Sequence, residues 1–524
     1  MEINISELLV ERFRNRNLKF VFGILSSGFL ELGDILYDKD IKYIGTRHEQ
    51  WAGHMADVFG RITGQPQLLL LPGGPGVTNA LTSIATAKIN YAPMFVLSDG
   101  STTSTSGRGD FQDLDGPEIT KPVTKKSVLV QNPARVGEYF SSLYSISKAP
   151  LPGPVHLEIP RDVLLMKTTY ADDKSEPDFL FGNYPARETV RLILHAIIKA
   201  KRPVVLVGNE LSTTLGRELL SQFAEKMNVP VIAVHGKNDI MDNNNPRMMG
   251  AIGRLGSRKA MTYLKESDMV VALGTNMNPY TFSPYYGFEY NNLTENVILI
   301  TLDPENIGNN IPISKNLFCS PESFLRVALG VIESEEYKFK GKAIREFFEN
   351  APEHNDEIFK GKHNSFVFQT IFENVLPGSN ISIDAGSMSM VMLKWKGYSS
   401  PGHLITSGNM GEVGFSISAS IGASLAQPEV PSYAFLGDGA FTMQLSALIT
   451  AVEYNIPIKI LVFDNSAWGS EKAYQTLMYN GRFFGSNLKN PDLTEVARSL
   501  RAISTKAEDP QTLRSTLHDI NNST

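Results

Sequence analysis

The stretch Tyr433-Ala434-Phe435-Leu436-Gly437-Asp438-Gly439-Ala440-Phe441 decides the fold. Its apolar start reads as a buried strand, Gly-Asp-Gly ends that strand, and the run Met443 to Val452 reads as the helix that follows. Glycine on both sides lets backbone approach a ligand closely. The free amides of a new helix suit an anion such as a diphosphate, and a carboxylate at the same turn can hold a hard cation. Taken alone, Gly-Asp-Gly is only a tight turn. A second strand, Ile458 to Phe463, ends in Asp464-Asn465-Ser466-Ala467, which brings Asn465 to the sheet edge where parallel sheets bind ligands. Asp438 and Asn465 are therefore candidates to share one metal.

The same strand-and-helix grammar runs through the chain. Short β-rich runs at Leu18 to Phe22, Leu68 to Leu71, Met94 to Leu97, Pro203 to Val207, Val229 to Val234, Met269 to Leu273 and Asn380 to Ile383 are each spaced for a crossover helix. That spacing predicts an α/β protein of mostly parallel sheets covered by helices. The 524 residues suit three domains, placed at 1–165, 187–335 and 362–524. The polar, Pro-containing stretches Met166 to Ala186 and roughly Glu335 to Gly361 read as linkers, the second largely helical.

Composition excludes several classes. Apolar residues make 42% and charged residues 20%, ordinary for a folded chain. Forty-nine Lys plus Arg against fifty-five Asp plus Glu leave a net charge of −6, which disfavours nucleic acid as a partner. The first residues carry acids where a secretory signal carries bases, and no apolar run reaches membrane-spanning length, so a cytoplasmic location is expected. The one cysteine, Cys319, reads as a small buried residue.

Three further segments carry polar groups beside strand ends. In Gly45-Thr46-Arg47-His48-Glu49-Gln50-Trp51, a strand stops and Glu49 opens a helix, for which dipole complementation is the plain explanation. His48 and His54 flank it as His-Glu-x4-His, one residue too long for the helical zinc pair, and no third ligand accompanies them. Leu71-Pro72-Gly73-Gly74-Pro75-Gly76-Val77-Thr78-Asn79 is a strand, a turn and a helix, and Thr406-Ser407-Gly408-Asn409-Met410-Gly411-Glu412-Val413-Gly414-Phe415 is Gly-rich.

Asp438 with an asparagine 27 positions on, bridged by a helix and a strand, resembles the diphosphate and magnesium motif of thiamine-diphosphate enzymes. The resemblance to the acetolactate synthase-like group covers nearly the whole chain, through Ile159-Pro160-Arg161-Asp162-Val163 and Leu302-Asp303-Pro304. It implies thiamine diphosphate held at Gly437, Gly439, Ala440 and Phe441, and Mg²⁺ held by Asp438, Asn465 and the Ala467 carbonyl. It makes Glu49 the catalytic carboxylate that hydrogen-bonds the aminopyrimidine nitrogen N1′. Gly74, Pro75 and Asn79 belong to the loop packed on that ring. Gln112, in Asp110-Phe111-Gln112-Asp113, reaches the thiazolium side, with Asp113 where the group usually has Glu. Gly408 and the Gly411 carbonyl line the cofactor, and Val413, smaller than the usual Met or Leu, is the wedge that bends it.

The implied activity is a carboligase or lyase acting on pyruvate or a related 2-oxo acid, in a homodimer or homotetramer with Glu49 of one subunit facing Gly-Asp-Gly of another. The pattern Trp468-Gly469-Ser470-Glu471-Lys472 with Gln475, Tyr479 and Arg482-Phe483 looks more like sulfoacetaldehyde acetyltransferase, which forms acetyl phosphate and sulfite. A non-catalytic, cofactor-binding relative is the alternative of another class. FAD, which some acetolactate synthases hold, is left open but not favoured. The chain shows no obvious apolar strand after Ile503, which predicts a less covered site.

Overall fold

Strands buried on both faces need no polar alternation, which is why they appear in the sequence as unbroken apolar runs. The computed structural model describes residues 2–169, 184–253, 256–282, 296–308, 311, 313–335, 364–393, 395 and 397–523, and both expected linkers fall mostly outside them. The chain forms two units. One comprises Met1–Phe179 and Ser407–Ser504, the other Leu180–Thr406 and Thr505–Thr524.

The first unit contains a six-stranded parallel sheet in the order Lys42–Gly45, Phe20–Gly23, Gln67–Leu71, Met94–Gly100, Pro154–Pro160, Lys126–Leu129. Every residue of Gln67–Leu71 and Met94–Gly100 is buried. One face of the sheet packs on Leu8, Leu9, Phe13, Phe140 and Tyr144. The other shares a core with Trp51, Met55, Ile84, Ile417, Ile421 and Leu448. The helices Glu49–Thr63, Pro75–Ile89, Ser416–Ala426 and Leu445–Glu453 carry these residues. Beside them Ser432–Gly437 pairs in parallel with Lys459–Phe463. Among the described strands of this unit, the short pair Glu2–Asn4 with Lys167–Thr169 is antiparallel.

The helix expected over Met443 to Val452 is instead two helices, Asp438–Met443 and Leu445–Glu453. Gln444 divides them. Its buried Oε1 accepts from the amides of Ile417 and Ser418 at 3.0 and 3.3 Å, so its side chain caps the neighbouring Ser416–Ala426 helix.

The second unit carries a parallel sheet in the order Met248–Ala251, Val231–Ala233, Pro203–Val207, Met269–Leu273, Val297–Thr301, Lys315–Phe318. Apolar side chains fill both of its faces. Cys319 is buried there, and desolvation, helped by Glu210, pushes its thiol up to about 12. Asn380–Ile383 pairs with Leu404–Ile405. After Ile503 the segment 504–508 forms no strand, and Asp509 caps the amphipathic helix Pro510–Asn522 with a capping box. Among the described residues no helix is long and apolar enough to cross a membrane.

Candidate active site

All the catalytic, cofactor-binding and metal-ligand candidates read from the sequence lie in the first unit. Gly437 pairs with Phe463 in the parallel ladder, so the next residues, Asp438 and Asp464, leave the sheet side by side. Asp438 is 1% exposed and opens its helix. Its Oδ2 accepts from Asn490 Nδ2 at 2.6 Å, and the same amide reaches Asp464 Oδ1 at 3.4 Å. Asn490 escapes sequence reading because it sits in a polar loop with no spacing signal, 25 residues beyond Asn465.

Asn465 folds back on itself. Its Oδ1 accepts from the Ala467 amide at 3.0 Å, an Asx turn that also sets where the Ala467 carbonyl emerges. Ala467 bridges Asn487, and the Trp468 amide donates to Ser486 O at 2.8 Å, which pins the loop. Trp468 lies over Gly439, where any side chain would run into the indole ring. A Cβ at Gly437 would meet nothing within 4 Å, so that backbone is open to a ligand, while Gly439, Ala440 and Phe441 are buried in the turn. A carboxylate, an amide oxygen and a carbonyl on adjoining strand ends form the all-oxygen donor set that suits Mg²⁺.

The Gly-rich loop follows a different logic. Gly408 and Gly411 are exposed, and Val413 is half-buried against the shared core. Glu412 anchors the loop, its Oε1 accepting from Thr86 Oγ1 at 2.8 Å and lying 3.8 Å from His54 Nε2. Burial, with Arg61 nearby, pushes His54 down to about 3, so this imidazole is neutral and stacks edge-on against Phe415. His48 instead caps the Glu49–Thr63 helix, Nδ1 accepting from the Gln50 amide at 3.2 Å.

Glu49 is 8% exposed, and its Oε2 accepts from Asn79 Nδ2 at 3.0 Å. Asn79 is delivered by the Pro75–Ile89 helix, which starts on Pro75, where a missing amide proton costs nothing. Before it Gly74 has φ +61°, and a Cβ there would press on Gln112 Cβ, Cα and O at 3.1 to 3.3 Å. Glycine is therefore required at 74 on both counts. The 72–75 and 110–113 loops interlock, and they bring Glu49, Gly74, Pro75, Asn79 and Gln112 to one edge of the six-stranded sheet. Two residues at that edge were not among the site candidates read from the sequence. Asp99 is the last residue but one of the Met94–Gly100 strand, and Arg161 follows Pro154–Pro160; Arg161 Nε donates to Asp99 Oδ2 at 3.1 Å.

Trp51 Nε1 donates to Ser446 Oγ at 2.8 Å, near the start of the Leu445–Glu453 helix. Arg47 pairs with Glu453 at 2.8 Å, and the Gly45 amide donates to the Tyr454 hydroxyl at 2.8 Å, at that helix's far end. A nine-residue helix is roughly 13 Å long. Among the described residues no hydrogen bond or ion pair joins Glu49 to Asp438, Asn465 or Gly411; the partner of Glu49 is Asn79, and that of Asp438 is Asn490.

Three models of one family match the chain in order. They are the N-terminal TPP binding domain of thiamine pyrophosphate enzymes over residues 3–119, the central domain over 190–327, and the C-terminal TPP binding domain over 384–523. The chain belongs to the thiamine pyrophosphate enzymes. The acetolactate synthase large subunit of Haemophilus influenzae is 28% identical to it across 98% of this chain and 91% of its own length. A probable acetolactate synthase large subunit of Methanococcus aeolicus is 27% identical across 99% and 90%. The sulfoacetaldehyde acetyltransferase of Castellaniella defragrans is 27% identical across 96% and 88%. The chain is thus a thiamine-diphosphate-dependent enzyme of acetolactate synthase type; Glu49, Gly74, Asn79, Asp99 and Gln112 fall within the matched N-terminal TPP binding domain, and Asp438, Asn465 and Asn490 within the C-terminal one.

Proposed function

We propose that this enzyme is a magnesium-dependent carboligase or lyase that takes pyruvate or a related 2-oxo acid. The observation that carries the reading is the buried Glu49 carboxylate, oriented by Asn79 with its other oxygen left for a ring nitrogen. The bound cofactor supplies a nucleophilic carbon and an electron sink for breaking and making carbon–carbon bonds. Glu49 would share a proton with the aminopyrimidine N1′, with Asn79 keeping that carboxylate aimed, and Gly74 and Pro75 would let the loop pack on the ring. Gln112 faces the thiazolium side. Val413 would be the apolar wedge beside the bound cofactor, and the Gly411 carbonyl would accept from its exocyclic amine. Asp438, Asn465 and the Ala467 carbonyl would hold Mg²⁺, and Gly437, Gly439, Ala440 and Phe441 would bind the diphosphate. We place these groups in a cytoplasmic homodimer or homotetramer, with each site completed by two subunits across domains at 1–165, 187–335 and 362–524.

The acetyltransferase reading has less support from this geometry. Gln475, one of the residues that suggests it, donates to Phe484 O at 2.8 Å and accepts from Ser486 Oγ at 2.7 Å, so its amide is spent on holding a turn. Lys472 lies 5.2 Å from the centre of the Phe483 ring. Flavin is not part of the proposal. In the second unit Glu210 packs over Gly274 at the strand ends that a nucleotide would face, and it accepts from the Leu302 amide at 2.9 Å and from Asn306 at 3.3 Å.

The test is Glu49→Gln. Calorimetry with thiamine diphosphate and Mg²⁺ is expected to show affinity within a few-fold of wild type, while turnover of pyruvate falls about 10²- to 10³-fold. Unchanged turnover overturns the assignment. Acetyl phosphate and sulfite from sulfoacetaldehyde with phosphate, and no product from pyruvate, would favour the second reading.

A further inference from the structure

Four segments meet at one carboxylate on the Glu49 edge. Asp99 is fully buried. Its Oδ1 accepts from the Gly73 amide at 2.5 Å, and its Oδ2 accepts from Ser26 Oγ at 2.7 Å and from Arg161 Nε at 3.1 Å. Gly73 begins the loop that carries Gly74 and Pro75, Ser26 follows the Phe20–Gly23 strand, and Arg161 follows Pro154–Pro160. Any side chain at Gly28 would overlap the Asp99 carboxylate and touch the Arg161 stem, so the pair is built into the backbone around it. Arg161 does not end there. Its Nη2 donates to Gln112 Oε1, and its guanidinium lies 5.7 Å from the centre of the Phe111 ring.

A guanidinium has only donors, so the atom of Gln112 that it holds must be the oxygen. The amide nitrogen then faces away, and among the described residues Gln112 Nε2 has no partner. Asp99 prevents the alternative. By holding Nε it stops the guanidinium from turning, and its negative charge offsets the positive one that would otherwise stand beside the site.

We infer that Asp99 and Arg161 are positioning residues that lock Gln112 with its N–H groups outward, as a hydrogen-bond donor to an oxygen or nitrogen acceptor on the thiazolium side of the bound cofactor. The inference deepens the proposed function and rests on its placement of Gln112. The same carboxylate holds the Gly73 loop, so Asp99 sets the spacing between the pyrimidine side and the thiazolium side of the site.

The test is a double-mutant cycle read by the dissociation constant for thiamine diphosphate with Mg²⁺, measured by calorimetry. Arg161→Lys keeps the charge opposite Asp99 but lacks the second nitrogen, and Gln112→Ala removes the donor. Each is expected to weaken binding about fivefold, and the double variant no further than Gln112→Ala alone. Gln112→Glu keeps an oxygen for Arg161 and deletes the donor, so it folds with the network intact and is expected to lose the same fivefold. Additive losses in the double variant, about 25-fold, overturn the inference, as does wild-type affinity in Gln112→Glu. Wild-type protein that binds no thiamine diphosphate at all overturns the functional reading and this inference together. Normal binding with an additive cycle overturns the inference alone.

Discussion

At the Glu49 edge of the first unit the polar side chains are bonded to one another, whereas at the Asp438 edge most of them face outward. Glu49, Asp99 and Gln112 each have a side-chain partner, and a single buried carboxylate gathers three donors from three segments. On the other edge the strand Lys459–Phe463 is half-exposed throughout, Asp464 to Ser466 are exposed, and the helix Gly469–Met478 has no buried residue. Asp438 is the buried exception, answered by a lone amide. The first edge owes its geometry to bonds whose loss is also a loss of folding free energy. The second can change its ligands while the fold stays almost untouched.

The largest expected effect concerns how the two edges are joined. Glu49→Gln and Asp438→Ala are each expected to be inactive alone, but mixing and re-associating them should restore about a quarter of wild-type activity, since half the dimers are then mixed and each mixed dimer has one intact site. No recovery after exchange, with mixed dimers confirmed by mass spectrometry, would put both edges of a site in one subunit. Next comes stability. Asp99→Asn breaks a buried ion pair and is expected to cost about 3 to 5 kcal/mol in urea unfolding, against about 0.5 kcal/mol or less for Asp464→Asn on the exposed edge. Equal costs would erase the contrast.

A third effect is in pH dependence. Burial, with Asp115, Asp99 and Asp113 nearby, raises Glu158 from 4.5 to about 8, although a Ser98 hydrogen bond works the other way. Between those values the folded chain binds more protons at this site than the unfolded chain, so this group makes stability fall as pH rises from 4.5 to 8. His54, lowered from 6.5 to about 3, acts in the opposite sense below neutrality, its contribution being lost as pH falls from 6.5 toward 3. Urea midpoints at pH 5, 7 and 9 should therefore flatten between 5 and 9 in Glu158→Gln. A slope as steep as wild type would mean that Glu158 is ionised in the folded protein.

The fold was legible where burial was complete. Pro203–Val207 and Met269–Leu273 begin and end where their apolar runs do, and the strand Asn380–Ile383 has the bounds of the β-rich run read there. Lys126–Leu129 was not, because it is an edge strand whose first residues are Lys126 and Ser127. The split at Gln444 was hidden too, since what divides the helices is a hydrogen bond to residues 27 and 26 positions earlier. The site was legible only in its local parts. Glu49 at a helix start and Asp438 at a strand end both follow from neighbouring residues. Asp99 and Arg161 are 62 positions apart, and only the adjacency of their two strands in the sheet brings them together.

The antiparallel pair of Glu2–Asn4 with Lys167–Thr169 places the entry and the exit of the six-stranded segment next to each other. A module whose two ends emerge at one spot needs little tether to be inserted into a different polypeptide, and joining its own ends by a short bridge leaves its hydrogen-bonded ladder undisturbed. Circular permutants of the full chain opened elsewhere on the surface of that segment should therefore retain its sheet.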